Sequence, residues 1–200
     1  MPIDKRAVTN WERAQHAYQH YQNFIVSKPN RYSLSFADLV FVKNFKGGNA
    51  LLAEPVTTFN TKIAYYEKIL KICAADSAFN NPLSKIPVCD YPRIKKLIID
   101  FVSLPNSQIS AINGFGCSFA SALLHFYFPS VVPILDKRAL NGSSIQGIQV
   151  NKYNNVTNLL SLYPNLIDYC RTNLEQRPYL TMRQLDKELF IQQLNIPPFH

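Results

Sequence analysis

Two features of this chain have residue types and spacing that suit chemistry: a glycine-containing turn and an aspartate beyond it. Gly114-Phe115-Gly116 separates two apolar segments, and Asp136 follows the second glycine by twenty residues. Glycine tolerates positive φ and the close approach of another surface, so this turn suits backbone contact with a ligand. The helix expected after Gly116 begins with unsatisfied amides and the positive end of its dipole, which together favour a phosphate.

The residues around this turn have the spacing of two helices joined by a short hairpin. Ile109 and Ile112 are three residues apart, as on one face of a helix, and Ala120 is small enough to let a second helix pack closely. This pattern is the helix-hairpin-helix signature, and we place the hairpin at residues 107–126. Such an element binds backbone phosphates and contributes positioning rather than sequence selection. An ordinary αα-hairpin without a nucleic-acid role is the alternative.

Asp136 lies between the apolar run Pro133-Ile134-Leu135 and Lys137-Arg138-Ala139-Leu140, where a helix is expected. Aspartate is a preferred N-cap, and a cap is the simplest interpretation of the residue. A helix N-terminus also helps to keep a carboxylate ionised, so the same residue could act as a catalyst. Its distance from the hairpin favours the catalytic interpretation.

The segment from Gly114 to Asp136 resembles the core of the helix-hairpin-helix DNA glycosylase superfamily, in which a glycine-rich hairpin is followed at this distance by a catalytic aspartate. More narrowly, Asn44-Phe45-Lys46-Gly47-Gly48-Asn49 and SFASALLHFYFPSVVPILDKRALNG, which starts at Ser118, resemble bacterial proteins described as 8-oxoguanine DNA glycosylase-like. The resemblance implies an all-α, two-lobed helical core, formed by residues 1–200 as a single domain. It also implies double-stranded DNA as partner, base excision in DNA repair, and no cofactor or metal.

The resemblance assigns roles to individual residues. Asp136 would stabilise the oxocarbenium ion that forms as the base leaves and would activate the attacking water. The target nucleotide must leave the base stack to reach such a site. Lys46 is either a contact to phosphate or flipped base, or an ordinary exposed turn lysine. The residues expected to contact DNA are Gly114, Phe115, Gly116, Ser118, Lys46 and Arg138.

Ser118 is an informative departure from part of the superfamily. Bifunctional members excise a base and then nick the strand, using a Schiff-base lysine two residues after the second hairpin glycine. Ser118 occupies that position here, so no imine can form at it. We therefore expect a monofunctional glycosylase, which hydrolyses the N-glycosidic bond without lyase activity. The alternative is a non-catalytic helix-hairpin-helix module that binds DNA within a larger repair or defence system.

The composition is that of a basic globular protein. The formal net charge is +8 and 47% of the residues are hydrophobic, which favours a folded protein that attracts polyanions. The four cysteines have no CxxC spacing, which argues against a zinc or iron–sulfur site. His16 and His20 are four residues apart, but without an evident third ligand we expect them to be solvated. With no apolar run of signal-peptide or membrane-span length, we expect a cytoplasmic monomer with free thiols.

Helical periodicity extends along most of the chain, and no segment alternates convincingly as a strand. Helices are predicted at residues 10–26, 57–74, 92–103 and 156–175, and after a final N-cap at Thr181. Thr9 is the expected N-cap of the first helix, and Pro164 is expected to divide the fourth. The segment after Ser35 fits either a helix or a strand.

Overall fold

A computed structural model describes residues 5–47 and 51–191. Within these ranges the chain forms eight α-helices and three short 3₁₀ helices, with no strand beyond isolated bridges. The prediction of an all-α protein is confirmed, whereas the division into two lobes stays a prediction. The α-helices are α1 (Lys5–Ser27), α2 (Phe36–Lys46), α3 (Val56–Ala75), α4 (Tyr91–Ser103), α5 (Cys117–Tyr127), α6 (Lys137–Gly142), α7 (Leu159–Gln176) and α8 (Met182–Ile191).

Helix α5 lies at the centre of the molecule. Every residue from Ala120 to Tyr127 is buried, which is the pattern of a helix that other elements cover on all sides. It packs against α2, α4 and α7, and the buried apolar side chains form one continuous core. Because α5 directly follows the Gly114–Gly116 turn, the core holds the turn in place. None of the helices in the described ranges is long and apolar enough to cross a membrane.

The first helix begins earlier than the sequence predicts. α1 starts at Lys5, so Thr9 lies inside the helix and is not its N-cap. Ala7 is fully buried, and its core packing explains why the helix extends N-terminal to Thr9. Tyr21 and Ile25, which are one turn apart on α1, are also fully buried, so this face of α1 packs into the core.

The segment after Ser35 is a helix and not a strand. Asp38 Oδ2 accepts hydrogen bonds from the Ser35 N–H at 2.8 Å and from its hydroxyl at 2.9 Å, which fixes the start of α2. Gly47 ends the helix with φ of +65°, a conformation that favours glycine. Gly48 and Asn49, which belong to the segment that carries the family resemblance, lie outside the described residues.

Pro164 does not divide the helix that contains it. α7 continues from Leu159 to Gln176 with Pro164 inside it. A proline this close to the start of a helix removes a single backbone hydrogen bond. Tyr163 and Leu166, on either side of it, are fully buried, and their packing holds the two parts of the helix in line.

Helices α6 and α8 approach closely at Gly142. A β-carbon on Gly142 would lie only 2.4 Å from the Leu189 carbonyl oxygen, so a larger residue would force the two helices apart. This contact limits how closely the end of α6, the helix that Asp136 caps, can approach α8.

Gly142→Ala should therefore lower the free energy of unfolding by about 1–3 kcal/mol, the usual cost of overpacking a tight contact. The measurement is the urea midpoint of the variant against that of the wild type, with the slope of the transition unchanged. An unchanged midpoint would show that α6 and α8 can separate at no cost.

Candidate active site

The turn that contains Gly114 packs closely against the segment that precedes α3. The Phe115 N–H donates to the Ile112 carbonyl at 3.0 Å, which closes a four-residue turn in which Gly114 has φ of +83°. A β-carbon on Gly114 would lie 1.9 Å from the Leu51 carbonyl oxygen. Glycine is required here both by positive φ and by close contact with another part of the same chain.

Ile109 and Ile112 do not lie on a helix, so the prediction of a helix at these residues is wrong. Residues 107–110 form turns, and the helix that precedes the hairpin is α4, which ends at Ser103. Pro105 has no N–H with which to continue α4, so a 3₁₀ helix follows it instead. Ile109 is 62% exposed while Ile112 is buried, so these two residues do not share a buried face.

The four hairpin residues predicted to contact DNA have different environments. Gly116 is exposed at the N-cap of α5, and Ser118 in its first turn is partly buried. Phe115 is 2% exposed and its ring lies 6.0 Å from that of Tyr66, so this residue offers a ligand almost no surface. Gly114, Phe115, Gly116 and Ser118 do not line the cavity that contains Asp136.

Helix α5 holds the segment that leads to Asp136. The Ser121 hydroxyl oxygen accepts a hydrogen bond from the Leu135 N–H at 2.9 Å, and His125 Nδ1 lies 2.6 Å from the Val132 carbonyl oxygen. Ser121 and His125 are one helical turn apart, so both face this segment. These two contacts fix the backbone of the segment that immediately precedes Asp136, and with it the position of Asp136.

His125 has a structural role. Burial lowers its pKa to about 3, so the ring is neutral and Nδ1 can donate to the Val132 carbonyl. Tyr163 of α7 supports the same segment by donating to the Pro133 carbonyl at 2.7 Å.

Asp136 caps α6 and also lines a cavity. Its Oδ1 accepts a hydrogen bond from the Ala139 N–H at 2.8 Å, which confirms the predicted N-cap. Its Oδ2 accepts a hydrogen bond from Lys46 Nζ, also at 2.8 Å. The side chain of Asp136 is 20% exposed and that of Lys46 is 12% exposed, so the ion pair is largely shielded from water.

The surroundings keep the Asp136 carboxylate ionised. Burial by itself would raise its pKa, but the charge and hydrogen bond of Lys46 act in the opposite direction, as do the backbone N–H groups of Ala139 and Arg138. The result is a pKa below the usual value of 3.8. The group is therefore an anion across the neutral range.

Lys46 belongs to the C-terminal turn of α2, ninety residues before Asp136 in the chain. It is neither an exposed turn lysine nor remote from the aspartate.

The two basic residues next to Asp136 have other contacts. Lys137 Nζ donates to Asn154 Oδ1 at 2.5 Å, and the Arg138 guanidinium lies 4.8 Å from the centre of the Phe190 ring.

The Asp136–Lys46 pair lies in the wall of a cavity of about 730 Å³. Its walls come from α1, the end of α2, the start of α6 with the residues before it, and α8. This volume is within the range of small-molecule sites in proteins, roughly 300–1,000 Å³.

A second ion pair lines the same cavity and was not found from the sequence. Arg183 pairs with Asp186 on α8, and its guanidinium lies 3.8 Å from the centre of the Trp11 ring. Burial raises the pKa of Asp186 to about 6 despite the charge of Arg183, and the Asp136 carboxylate contributes to the rise. The sequence shows that Arg183 and Asp186 are three residues apart, but this spacing is equally typical of ion pairs on the exposed face of a helix.

The cavity walls carry more positive than negative charge. Five cationic residues and two carboxylates line them among the described residues. The carboxylates are Asp136 and Asp186, and the cations are Arg13, Lys46, Lys137, Arg138 and Arg183. An excess of positive charge in a concave site attracts an anionic ligand.

His16 and His20 also line this cavity, although both are exposed as predicted. Across residues 5–47 and 51–191, no three His, Cys, Asp or Glu side chains lie close enough together to hold a metal ion. The four cysteines have free thiols, and Cys73 and Cys170 are buried.

Comparisons of the chain with protein-family models, with curated proteins and with solved structures found no significant match. Any function assigned to this protein therefore depends on its own residues and their geometry.

Proposed function

We propose that this protein is a DNA glycosylase that hydrolyses the N-glycosidic bond of a damaged or modified base. The observation that carries the proposal is Asp136, an ionised carboxylate at a helix N-terminus in the wall of a cavity of about 730 Å³. The sequence supports it independently, because Asp136 follows the Gly114–Gly116 turn at the distance typical of helix-hairpin-helix glycosylases.

The chemistry requires an anion beside the deoxyribose. As the base leaves, positive charge develops on C1′ and the ring oxygen, as it does in glycoside hydrolysis. Asp136 would stabilise that charge and orient or deprotonate the attacking water. Because the Ala139 amide already holds Oδ1, the carboxylate needs little reorganisation as the charge develops.

Charge and exposure support DNA as the substrate. The chain has a formal net charge of +8, and the cavity walls add a local excess of cations. Gly116 is exposed at the N-cap of an eleven-residue helix, where free amides suit a backbone phosphate. Such contacts would offset the few kcal/mol needed to turn a nucleotide out of the stack.

The test is base release from duplexes that each carry one defined lesion. The panel includes oxidised purines and phage-type hypermodified bases, with the unmodified duplex as control. We expect alkali-dependent strand breaks at the position of at least one lesion, together with the free base in the supernatant by mass spectrometry. Salt-dependent binding with no base released from any duplex would instead favour a non-catalytic DNA-binding module.

Gly116→Glu should weaken binding to a short duplex about tenfold, or ~1.4 kcal/mol. A β-carbon at Gly116 would contact nothing within 4 Å, so the protein should fold normally while the added carboxylate repels the phosphate. Fluorescence anisotropy over a series of salt concentrations measures the affinity, and the salt slope should fall by about one. Gly116→Ala is the uncharged control. Unaltered affinity of Gly116→Glu would exclude the hairpin as the phosphate contact.

A further inference from the structure

We propose that Lys46 forms an imine with C1′ of an abasic site, which gives the protein a strand-cleaving lyase activity in addition to base removal. The inference depends on the proposed glycosylase function for its natural substrate, the sugar from which a base has left. With Ser118 in place of a lysine, the hairpin has no amine at that position, and the sequence therefore predicts no lyase activity. In the structure, an amine from a different helix, Lys46 of α2, contacts Asp136.

The geometry gives Lys46 access to any group that Asp136 contacts. Its Nζ lies 2.8 Å from Asp136 Oδ2 and its side chain lines the same cavity. A sugar with C1′ beside Oδ2 would therefore also be within reach of the amine. The lysine side chain is a flexible four-carbon stem, so a change of rotamer would let Nζ move from the carboxylate to the sugar.

The cavity also protects such an intermediate. The Lys46 side chain is 12% exposed, which limits the water available to hydrolyse an imine. Lys137, another lysine in the cavity wall, has its ammonium on Asn154 Oδ1 and on the Asn154 carbonyl. Among the described residues, Lys46 is thus the amine directed at the carboxylate, and Lys137 provides a matched comparison.

The first step is condensation of the amine with the aldehyde form of the abasic sugar. Lys46 passes one proton to Asp136 Oδ2, and its lone pair forms a bond to C1′. The carbonyl oxygen takes that proton and a second one from the nitrogen and leaves as water. The products are an iminium ion, which keeps the positive charge and one N–H, and one water molecule.

The second step breaks the strand by elimination. Asp136 Oδ2, no longer bonded to the ammonium, takes a proton from C2′, and the electron pair of the C2′–H bond forms an enamine. The enamine then expels the 3′ phosphate, which leaves with the electrons of the C3′–O bond. Water hydrolyses the remaining imine and returns Lys46 as an amine. No oxidant or reductant is consumed.

The experiment is borohydride trapping on a duplex with a preformed abasic site. Borohydride reduces the imine to a stable secondary amine, so wild-type protein should give a covalent protein–DNA complex whose cross-linked peptide contains Lys46. Lys46→Gln and Lys46→Arg should both lose the complex. Arginine keeps the positive charge against Asp136, so the loss in Lys46→Arg cannot be attributed to a lost ion pair. Lys137→Gln should still form the complex.

The outcomes separate this inference from the proposed glycosylase activity, because a preformed abasic site bypasses base removal. No covalent complex with the wild type, or a complex that persists in both Lys46 variants, overturns the imine. Base release without trapping would leave a monofunctional glycosylase. Trapping through Lys46 without base release from any duplex would support the lyase and reject the glycosylase.

Discussion

Asp136→Asn should slow base release by about 100- to 10,000-fold, the range in which a positioned acid–base or charged group contributes to catalysis. The substitution removes the negative charge that would stabilise the deoxyribose cation and leaves the shape of the side chain unchanged. Asparagine is as good an N-cap as aspartate, so Oδ1 can still accept from the Ala139 N–H and α6 should keep its start. Lys46, which is 12% exposed, loses its ion partner in this variant, so some loss of stability is expected and the rate is measured well below the melting temperature of the variant.

The measurement is single-turnover base release, with a thermal melt of each variant. Asp168→Asn is the matched control, since Asp168 is 51% exposed and pairs with Lys95 away from the cavity. Because the pKa of Asp136 lies below its usual value, its protonation should not slow the wild type between neutral pH and about pH 5. Equal rates for Asp136→Asn and the wild type would remove Asp136 from the mechanism.

Lys28→Met should lower the free energy of unfolding by about 3–5 kcal/mol, the cost of leaving a buried charge without its partner. Asp38 is fully buried, and Lys28 Nζ lies 2.9 Å from its Oδ1. Tyr21 also donates to Asp38 Oδ1, at 2.9 Å, but a hydroxyl does not neutralise the carboxylate. This network joins α1 to the first turn of α2, whose last turn carries Lys46. The change should therefore also loosen the site.

The control for Lys28 is Lys71→Met, which breaks an ion pair with Glu67 on the surface of α3. The Lys71 side chain is 50% exposed, and such a pair contributes no more than about 1 kcal/mol. Urea unfolding of both variants gives the comparison. Adding Asp38→Asn to Lys28→Met should recover part of the loss, because the buried group is then neutral. Similar small losses for Lys28→Met and Lys71→Met would argue against a buried charge at Asp38.

The helical architecture was predictable because it depends on local patterns. Apolar residues at helical spacing identified α3, α4 and α8, and Thr181 does begin α8 by accepting a hydrogen bond from the Gln184 N–H. The prediction failed where tertiary packing outweighs local preference. Packing of Ala7 extends α1 beyond Thr9, and the buried neighbours of Pro164 keep α7 continuous.

The candidate site was predictable only in part. The sequence identified Asp136 as an N-cap and, through its distance from the hairpin, as a candidate catalyst. It also singled out both glycines of the turn, but their roles differ in the structure. Gly114 is needed for contact with the Leu51 backbone, while Gly116 is exposed and open to a ligand.

The sequence by itself determined that the chain is mostly helical and that a carboxylate stands at the start of α6. Only the tertiary structure decided which groups surround that carboxylate. Lys46 reaches Asp136 because α2 and the start of α6 form walls of one cavity, although ninety residues separate them in the chain. Arg183 lies on Trp11 because α8 packs against α1. Residue spacing encodes which side of a helix is buried, whereas the partner on that side depends on how all the helices pack together.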